Sequence, residues 1–507
     1  MRQFEMKEWT FTGPEPETSK VYVDLKAVFT HEEETIELDG FYAGNGQYKV
    51  RFFPRKLGKY SWKVRGVIDA NGEEECSPSD KCGIVKADGL HFKYESGSKF
   101  IPFGTTVYAL IHQDKKLVDT TMKTLSSSPF NKVRFCVFPK HFDYNHNEPK
   151  YFAYEKTDGQ WDVDRPCYFF WDEMEDRLTQ MEQMGIQADL ILFHPYDHWG
   201  FSKLSKDQCL TYLNYATRRL AAFPNLWWSL ANEFDTIPNF EYGWWAEFAS
   251  YISKRDPYGH LLSNHNCLVY WDFDNADTTH CSIQDSNVQN IPDYQKKYGK
   301  PVVFDECCYE GNVPHSWGNI SAFEMVNRFW IATVCGGYCT HGETYITQDE
   351  ILWWSRGGIM HGESPSRIAF LKSVIEKLPT PIDFLPDPEA NIGGLEQLKT
   401  NPADFSKLPG FTKNLIMNPY ERIISFIEGS RKYQGHCGNH AFIYYYARQC
   451  TSSVNIMLPE GKFYKIELLD VWNMTRTEVF SNVTGKVGIP LPGKEGMALL
   501  ATLICEE

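Results

Sequence analysis

The chain has 507 residues, 51 Lys and Arg against 66 Asp and Glu, and a formal net charge of −15. At roughly 100–250 residues per domain, that length asks for two to four hydrophobic cores. No Lys/Arg block concentrates positive potential, which argues against nucleic acid and anionic membrane surfaces as partners, and no apolar run approaches the length of a membrane span.

The N-terminus carries no apolar stretch of the secretory kind, so a cytoplasmic chain is expected. The 14 Cys are scattered without a Cys-x-x-Cys pair, which fits reduced thiols and argues against a structural zinc site. Up to residue 88 the chain reads as short strands and turns. Residues 21–29, 48–53 and 57–65 mix β-branched with aromatic side chains, and residues 40–46 form a Gly-rich turn cluster. A β-sandwich over residues 1–88 is expected.

From about Leu90 the rhythm changes to apolar strands alternating with amphipathic helices. Candidate strands cover residues 99–107, 131–138, 185–194, 226–233, 261–265, 280–284, 301–306 and 337–341. Between them, Met174, Leu178 and Met181, and then Leu210, Leu213 and Leu220, recur at helical spacing. Continuous apolar strands alternating with helices indicate a parallel sheet covered on both faces. Eight such units over residues 89–385 predict an α/β fold, a (β/α)8 TIM barrel. Pro386, Pro388, Pro402 and Pro409 mark the passage into residues 386–507, where strands return and a second β-sandwich is expected.

Barrel chemistry sits where strands end at their C-terminal face, so the polar residue closing each apolar strand is the informative one. Glu233 closes the fourth strand and Glu306 the seventh. A carboxylate directly after a buried strand is costly unless it is hydrogen-bonded or useful. Two converging carboxyls can cleave a glycosidic bond: one protonates the leaving oxygen while the other attacks the anomeric carbon, at about 5–5.5 Å for retention. Asp305 is expected to point away from Glu306 by strand alternation, and Glu310 is a rival nucleophile in a loop.

Other strand-ends offer sugar-binding candidates: His194 and Tyr196 after the third, Asn264 and His265 after the fifth, His341 and Glu343 after the eighth. Each has a structural alternative, with His194 or His265 bracing a loop and Glu343 held in an ion pair. Trp199, Trp317 and Trp353 are expected as cleft aromatics, and Trp227 and Trp228 as wall and core. His194, Asp197 and His198 lie close together but lack an HExxH-like spacing, so no metal and no cofactor is expected.

Asn232-Glu233 after the fourth strand, Glu306 after the seventh and Arg134 inside the second resemble the pattern of clan A glycoside hydrolases. The whole chain also resembles the apiosidase-like branch, in which a sandwich of the type seen in residues 40–52 precedes the barrel and a second follows it. The resemblance implies a retaining mechanism with Glu233 as acid/base and Glu306 as nucleophile. It further implies that Asn232 holds the sugar 2-hydroxyl and that Arg134 supports the nucleophile. The chain departs from the clan pattern at Gln284 and Asp285, where a Tyr or His is usual, and at His341 to Glu343, where a Trp is usual. A cytoplasmic enzyme would meet transported fragments rather than polymers, so exo cleavage of oligosaccharides or glycosides is expected. The alternative is a non-catalytic carbohydrate-binding protein on a barrel scaffold. A small carbohydrate is the expected partner, and self-association is left open.

Overall fold

The computed structural model describes residues 1–386, 406–417 and 432–506. The eight apolar runs become eight strands: β1 (Gly104–Thr106), β2 (Lys132–Cys136), β3 (Gln187–Phe193), β4 (Leu226–Ala231), β5 (Leu261–Ser263), β6 (Cys281–Gln284), β7 (Val302–Glu306) and β8 (Tyr338–His341). They hydrogen-bond in the order β5-β4-β3-β2-β1-β8-β7-β6, all in parallel. An isolated parallel bridge between His265 and Ser282 joins the two end strands, so the sheet bends into a near-complete barrel. Every residue of β3 and of β4 is buried, because the strand faces inward on one side and meets helices on the other.

The helices begin where the sequence supplies caps. Asp114 accepts from the Leu117 N–H ahead of α1 (Lys115–Ser126). α2 spans Tyr168–Gln183, and α3 (Lys206–Leu220) opens with a capping box between Ser205 and Gln208. The run at residues 99–107 divides in two. Lys99–Phe100 pairs antiparallel with His91–Tyr94, and β1 starts only at Gly104. Pro102 is the cause: it has no N–H for a ladder and restricts Ile101 before it. Phe92 and Phe100 pack on Trp227 at 5.1 and 6.1 Å between ring centroids, which places Trp227 in the core as expected.

Residues Met1–Met325 and Tyr338–Pro365 make one compact unit. Within it, the N-terminal strands form two antiparallel sheets. One joins Lys7–Thr12, Gln47–Phe52 and Phe41–Tyr42; the other joins Thr35–Asp39, Leu25–Thr30, Gly58–Gly66 and Ala70–Cys76. Phe29 and Phe52, one from each sheet, stack at 3.9 Å. Residues Val326–Gly337 and Ser366–Glu507 make the second unit. Its six-stranded antiparallel sheet and a strand pair, Ser453–Met457 with Lys486–Pro490, share a core containing Tyr444, Tyr464, Ile466, Ile456 and Ile489. Pro388 and Pro402 lie outside the described residues. Among the described residues, no helix is long and apolar enough to cross a membrane.

Candidate active site

A cavity of about 740 Å³ opens at the C-terminal end of the barrel strands. Each strand sends at least one residue to its wall: Tyr108 after β1, Lys140 after β2, Tyr196 after β3, Glu233 after β4, Asn266 after β5, Gln284 at the end of β6, Glu306 at the end of β7 and Trp354 after β8. Loops complete the wall with Phe142 to Tyr144 and Val313 to Gly318. On one rim, Asp235 accepts from the N–H groups of Cys267, Leu268 and Val269 at 2.6, 2.7 and 2.8 Å. That clamp fixes a loop whose Leu268 side chain is 82% exposed.

Both strand-end carboxylates are buried and face this cavity. Glu306 accepts from the Tyr108 hydroxyl on one oxygen and from Trp317 Nε1, at 3.3 Å, on the other. Tyr309 stands beside them, its hydroxyl 3.3 Å from that of Tyr108. Its ring can lie there only because residue 342 is glycine: a Cβ at Gly342 would stand 1.9 Å from Tyr309 Cδ1. Burial pushes the Glu306 carboxyl up, and the Glu233 charge pushes it further. Arg134 and the hydrogen bonds from Tyr108 and Tyr309 oppose the rise without cancelling it. Glu233 accepts from the Tyr196 hydroxyl and, at 3.1 Å, from Gln284 Nε2. Its backbone is left-handed, at φ 52° and ψ 52°, as the chain turns out of β4. Burial, with Glu306 beside Tyr108 and Glu233 beside Tyr196, holds both phenols far above their ordinary pKa, so they remain hydrogen-bond donors.

Below this pair lies a second, fully buried layer of charge. Lys132 Nζ sits 2.6 Å from Asp189 and 2.5 Å from Asp305, and Arg134 Nε is 3.4 Å from Asp189. Burial would raise the Asp305 carboxyl, but the charges of Lys132 and Arg134 outweigh it and hold it well below the usual carboxylate range. Asp305 therefore points into this layer and away from the cavity, as alternation requires. Arg134 reaches Asn232 Oδ1 at 3.5 Å, and Asn232 in turn lies 3.1 Å from the Tyr108 hydroxyl. Both sit one step behind the cavity wall.

Of the residues expected at the substrate, Tyr196, Glu233 and Glu306 line the cavity. The others are absorbed by the scaffold. His194 Nε2 faces the Phe138 carbonyl at 3.0 Å, and burial pushes its imidazole down to about 4. Asn264 turns its side-chain oxygen to the His265 N–H, and His265 Nδ1 lies 3.5 Å from the Glu233 N–H. His341 contacts Thr105 at 3.0 Å and stacks on Phe130 at 4.7 Å. Glu343 accepts from the backbone N–H groups of His361 and Gly362, so it braces a loop; Glu310 does likewise for Glu363 and Ser364 and does not reach the cavity. Among the aromatics, Trp317 reaches the cavity. Trp353 is buried and donates to Thr105, while its neighbour Trp354 takes the cleft position. Trp199 donates to Glu148 away from the cavity, and Asp197 is used up by the N–H groups of Trp199, Gly200 and Ser202. Among the described residues, no three His, Cys, Asp or Glu side chains are grouped to hold a metal ion.

Tyr108 and Lys140 were not singled out from sequence. Tyr108 follows the first strand by two residues, so the strand-end rule would have found it. Lys140 carried no such signal, because a lysine four residues beyond a strand is ordinarily a solvated one.

A family described as "Apiosidase-like, catalytic domain" matches residues 86–379. Two domains of unknown function, DUF5060 and DUF5605, match residues 1–66 and 430–502. Among solved structures, a presumed glycoside hydrolase from Bacteroides vulgatus is 30% identical, with a TM-score of 0.86, over 99% of each chain. A glycoside hydrolase family 5 protein from the same species is 14% identical with a TM-score of 0.60, over 83% of this chain and 93% of its own, a likeness of fold alone. No curated protein matches the chain.

Proposed function

The chain belongs to the apiosidase-like family of glycosidases, and from that premise we propose that it cleaves glycosides with retention, Glu306 acting as nucleophile and Glu233 as acid/base. The observation that carries this reading is that both strand-end carboxylates face one cavity, each with its own donors. In the first step the Glu306 carboxylate bonds to the anomeric carbon as the bond to the leaving oxygen breaks, and the Glu233 carboxyl gives that oxygen its proton. In the second, Glu233 takes a proton from water, the water oxygen bonds to the anomeric carbon, and Glu306 is released. Tyr108 and Trp317 direct O–H and N–H dipoles at the nucleophile, one on each oxygen, fixing the orientation of its carboxylate. Asn232 and Arg134, behind the wall, hold Tyr108 and offset the charge on Glu306.

The substrate we propose is a short oligosaccharide or small glycoside cut from its end. Phe142 to Tyr144, from the long insertion after β2, close one side of the cavity, which supports end-on entry. Leu268 and Tyr270, which also line the cavity and are exposed, offer an apolar contact for the leaving group. The two antiparallel sheets preceding the barrel are read as a β-sandwich that braces it, and the C-terminal sheets as a second sandwich.

The test is a panel of aryl glycosides and oligosaccharides, with an apioside included on account of the family, against wild type, Glu233→Ala and Glu306→Ala. Both variants are expected to lose activity on the order of a thousandfold. Azide should rescue each, giving glycosyl azides of opposite anomeric form. A Glu306→Ala enzyme that hydrolyses as fast as wild type would end the assignment. Shortening of polymers without release of a small sugar would end the exo reading.

A further inference from the structure

We propose that Lys140 is a positioning residue for the carboxylate pair: its ammonium, held against the rings of Tyr108 and Tyr196, strengthens both phenols as donors and serves as the pair's shared counter-charge. This rests on the reading of Glu233 and Glu306 given above. Lys140 is 2% exposed and sits at the end of the second strand's excursion into the cavity. Its Nζ lies 3.7 Å from the Tyr108 ring centroid, 4.2 Å from Tyr196, 4.7 Å from Trp354 and 5.6 Å from Phe142. The two nearest rings are the two whose hydroxyls hold Glu306 and Glu233. One cation thus touches both halves of the site without touching either carboxylate.

The buried cations Lys132 and Arg219 lie within ion-pair distance of carboxylates. Lys140 Nζ has no hydrogen bond or ion pair among the described residues. Its partners are aromatic faces, which attract a cation through the negative π surface. A cation on that surface draws electron density from the ring and makes the phenol O–H a stronger donor to an anion. The other titratable and charged groups facing Lys140 do not compete for this role. On β2, burial pushes the Cys136 thiol up to about 12, so it is neutral, and Arg134 belongs to the layer beneath. Burial likewise leaves His194 neutral. Burial also pulls the Lys140 ammonium down to about 8, while the charges on Glu306 and Glu233 sustain it, so it is charged at neutral pH.

The test compares full-length wild type with Lys140→Met, Lys140→Gln and Lys140→Arg on a glycoside the wild type cleaves, reading kcat and KM across pH. Removing the charge raises the carboxylate pKa values, so the acidic limb of kcat/KM should move up by about one pH unit. On the acidic limb itself, kcat should fall about tenfold with KM changed less than about twofold, and Lys140→Arg should restore the limb. The same shift is readable without substrate by infrared titration of the carboxylate bands, with Glu306→Gln locating the relevant band. An unmoved limb in folded Met and Gln variants overturns the proposal, as does a raised KM with unchanged kcat, which would make Lys140 a substrate contact. If Glu306→Ala is inactive while Lys140→Met behaves as wild type, only the Lys140 assignment falls. If Glu306→Ala is active, the reading beneath it falls instead.

Discussion

Glu233 leaves β4 with a left-handed backbone, a conformation costing a non-glycine residue about 1–2 kcal/mol. That strain turns its side chain toward the cavity instead of along the strand. Glu306 carries a different burden, since burial and the nearby Glu233 charge oppose its ionisation. Its folded pKa is raised, so the stability it permits is full below the unfolded carboxyl pKa and is lost as pH rises through the folded value. Glu306→Gln removes the titration. Its melting temperature relative to wild type should therefore climb as pH rises above the ordinary carboxyl range, whatever constant offset the lost acceptor oxygen imposes. A difference that stays flat over that rise would mean the carboxyl is not strained by charge. At this scale the sequence showed the two Glu residues, because a carboxylate abutting a buried strand is conspicuous. It hid Lys140, whose four ring contacts join residues 108, 142, 196 and 354, a juxtaposition that no local pattern encodes.

Among the elements, the strands were legible because all eight are apolar runs of near-uniform burial, and the misjudged ends have local causes. Pro102 cut the first run, and β5 shrank to three residues. What strand order could not say was where each chain goes next. After β8 the chain pairs Glu343–Thr344 with Glu310–Gly311, which turns Glu343 toward its own loop and away from the cavity. A Cβ at Gly362 would stand 2.6 Å from the Glu310 carboxyl carbon, so a larger residue there would displace that carboxylate from the Glu363 and Ser364 N–H groups. Burial, together with the Glu310 charge, pushes Glu343 up to about 7 from an ordinary 4.5, although two backbone N–H groups pull the other way. Its protonated form is favoured by the fold, so the loop's support is full below about 4.5 and fades as pH rises through about 7, by on the order of 3 kcal/mol. Trp354, whose ring packs on Tyr108 and Tyr309, sits on that loop. Amide exchange across residues 343–363, corrected for intrinsic rate, should show more frequent opening at pH 8 than at pH 5, and Glu343→Gln should flatten the difference. Equal or greater protection at pH 8 would contradict the direction assigned to Glu343.

Across the larger unit, the N-terminal sheets are tied to the barrel by buried charge as well as apolar packing. Arg51, from the strand Gln47–Phe52, meets both oxygens of Glu175 on α2 at 2.6 and 2.7 Å and donates to the Arg219 carbonyl on α3 at 2.7 Å. Arg219 closes on the same Glu175, Tyr215 donates to the Tyr42 carbonyl, and Arg218 donates to the carbonyls of Val23 and Gly40. Periodicity suggested two separate folds here; it could not reveal a pairing of residues 124 positions apart. Taking one partner from a buried pair strands the other charge in low dielectric and costs about 3–5 kcal/mol, whereas exposed pairs contribute about 0–1 kcal/mol. Arg219 still faces Glu175 when Arg51 is gone, so Arg51→Ala should destabilise this unit by about 3 kcal/mol, the low end of the buried-pair range, in denaturant unfolding. Lys59→Ala, which breaks a pair 62% exposed on both sides, should leave it within about 0.5 kcal/mol of wild type. Because α2 and α3 follow β2 and β3 in the chain, the same Arg51→Ala protein should lose activity at a lower temperature than Lys59→Ala does. If the two variants unfold and inactivate together, the N-terminal sheets are carried by the barrel rather than bracing it, and their place in the molecule must be sought in something other than stability.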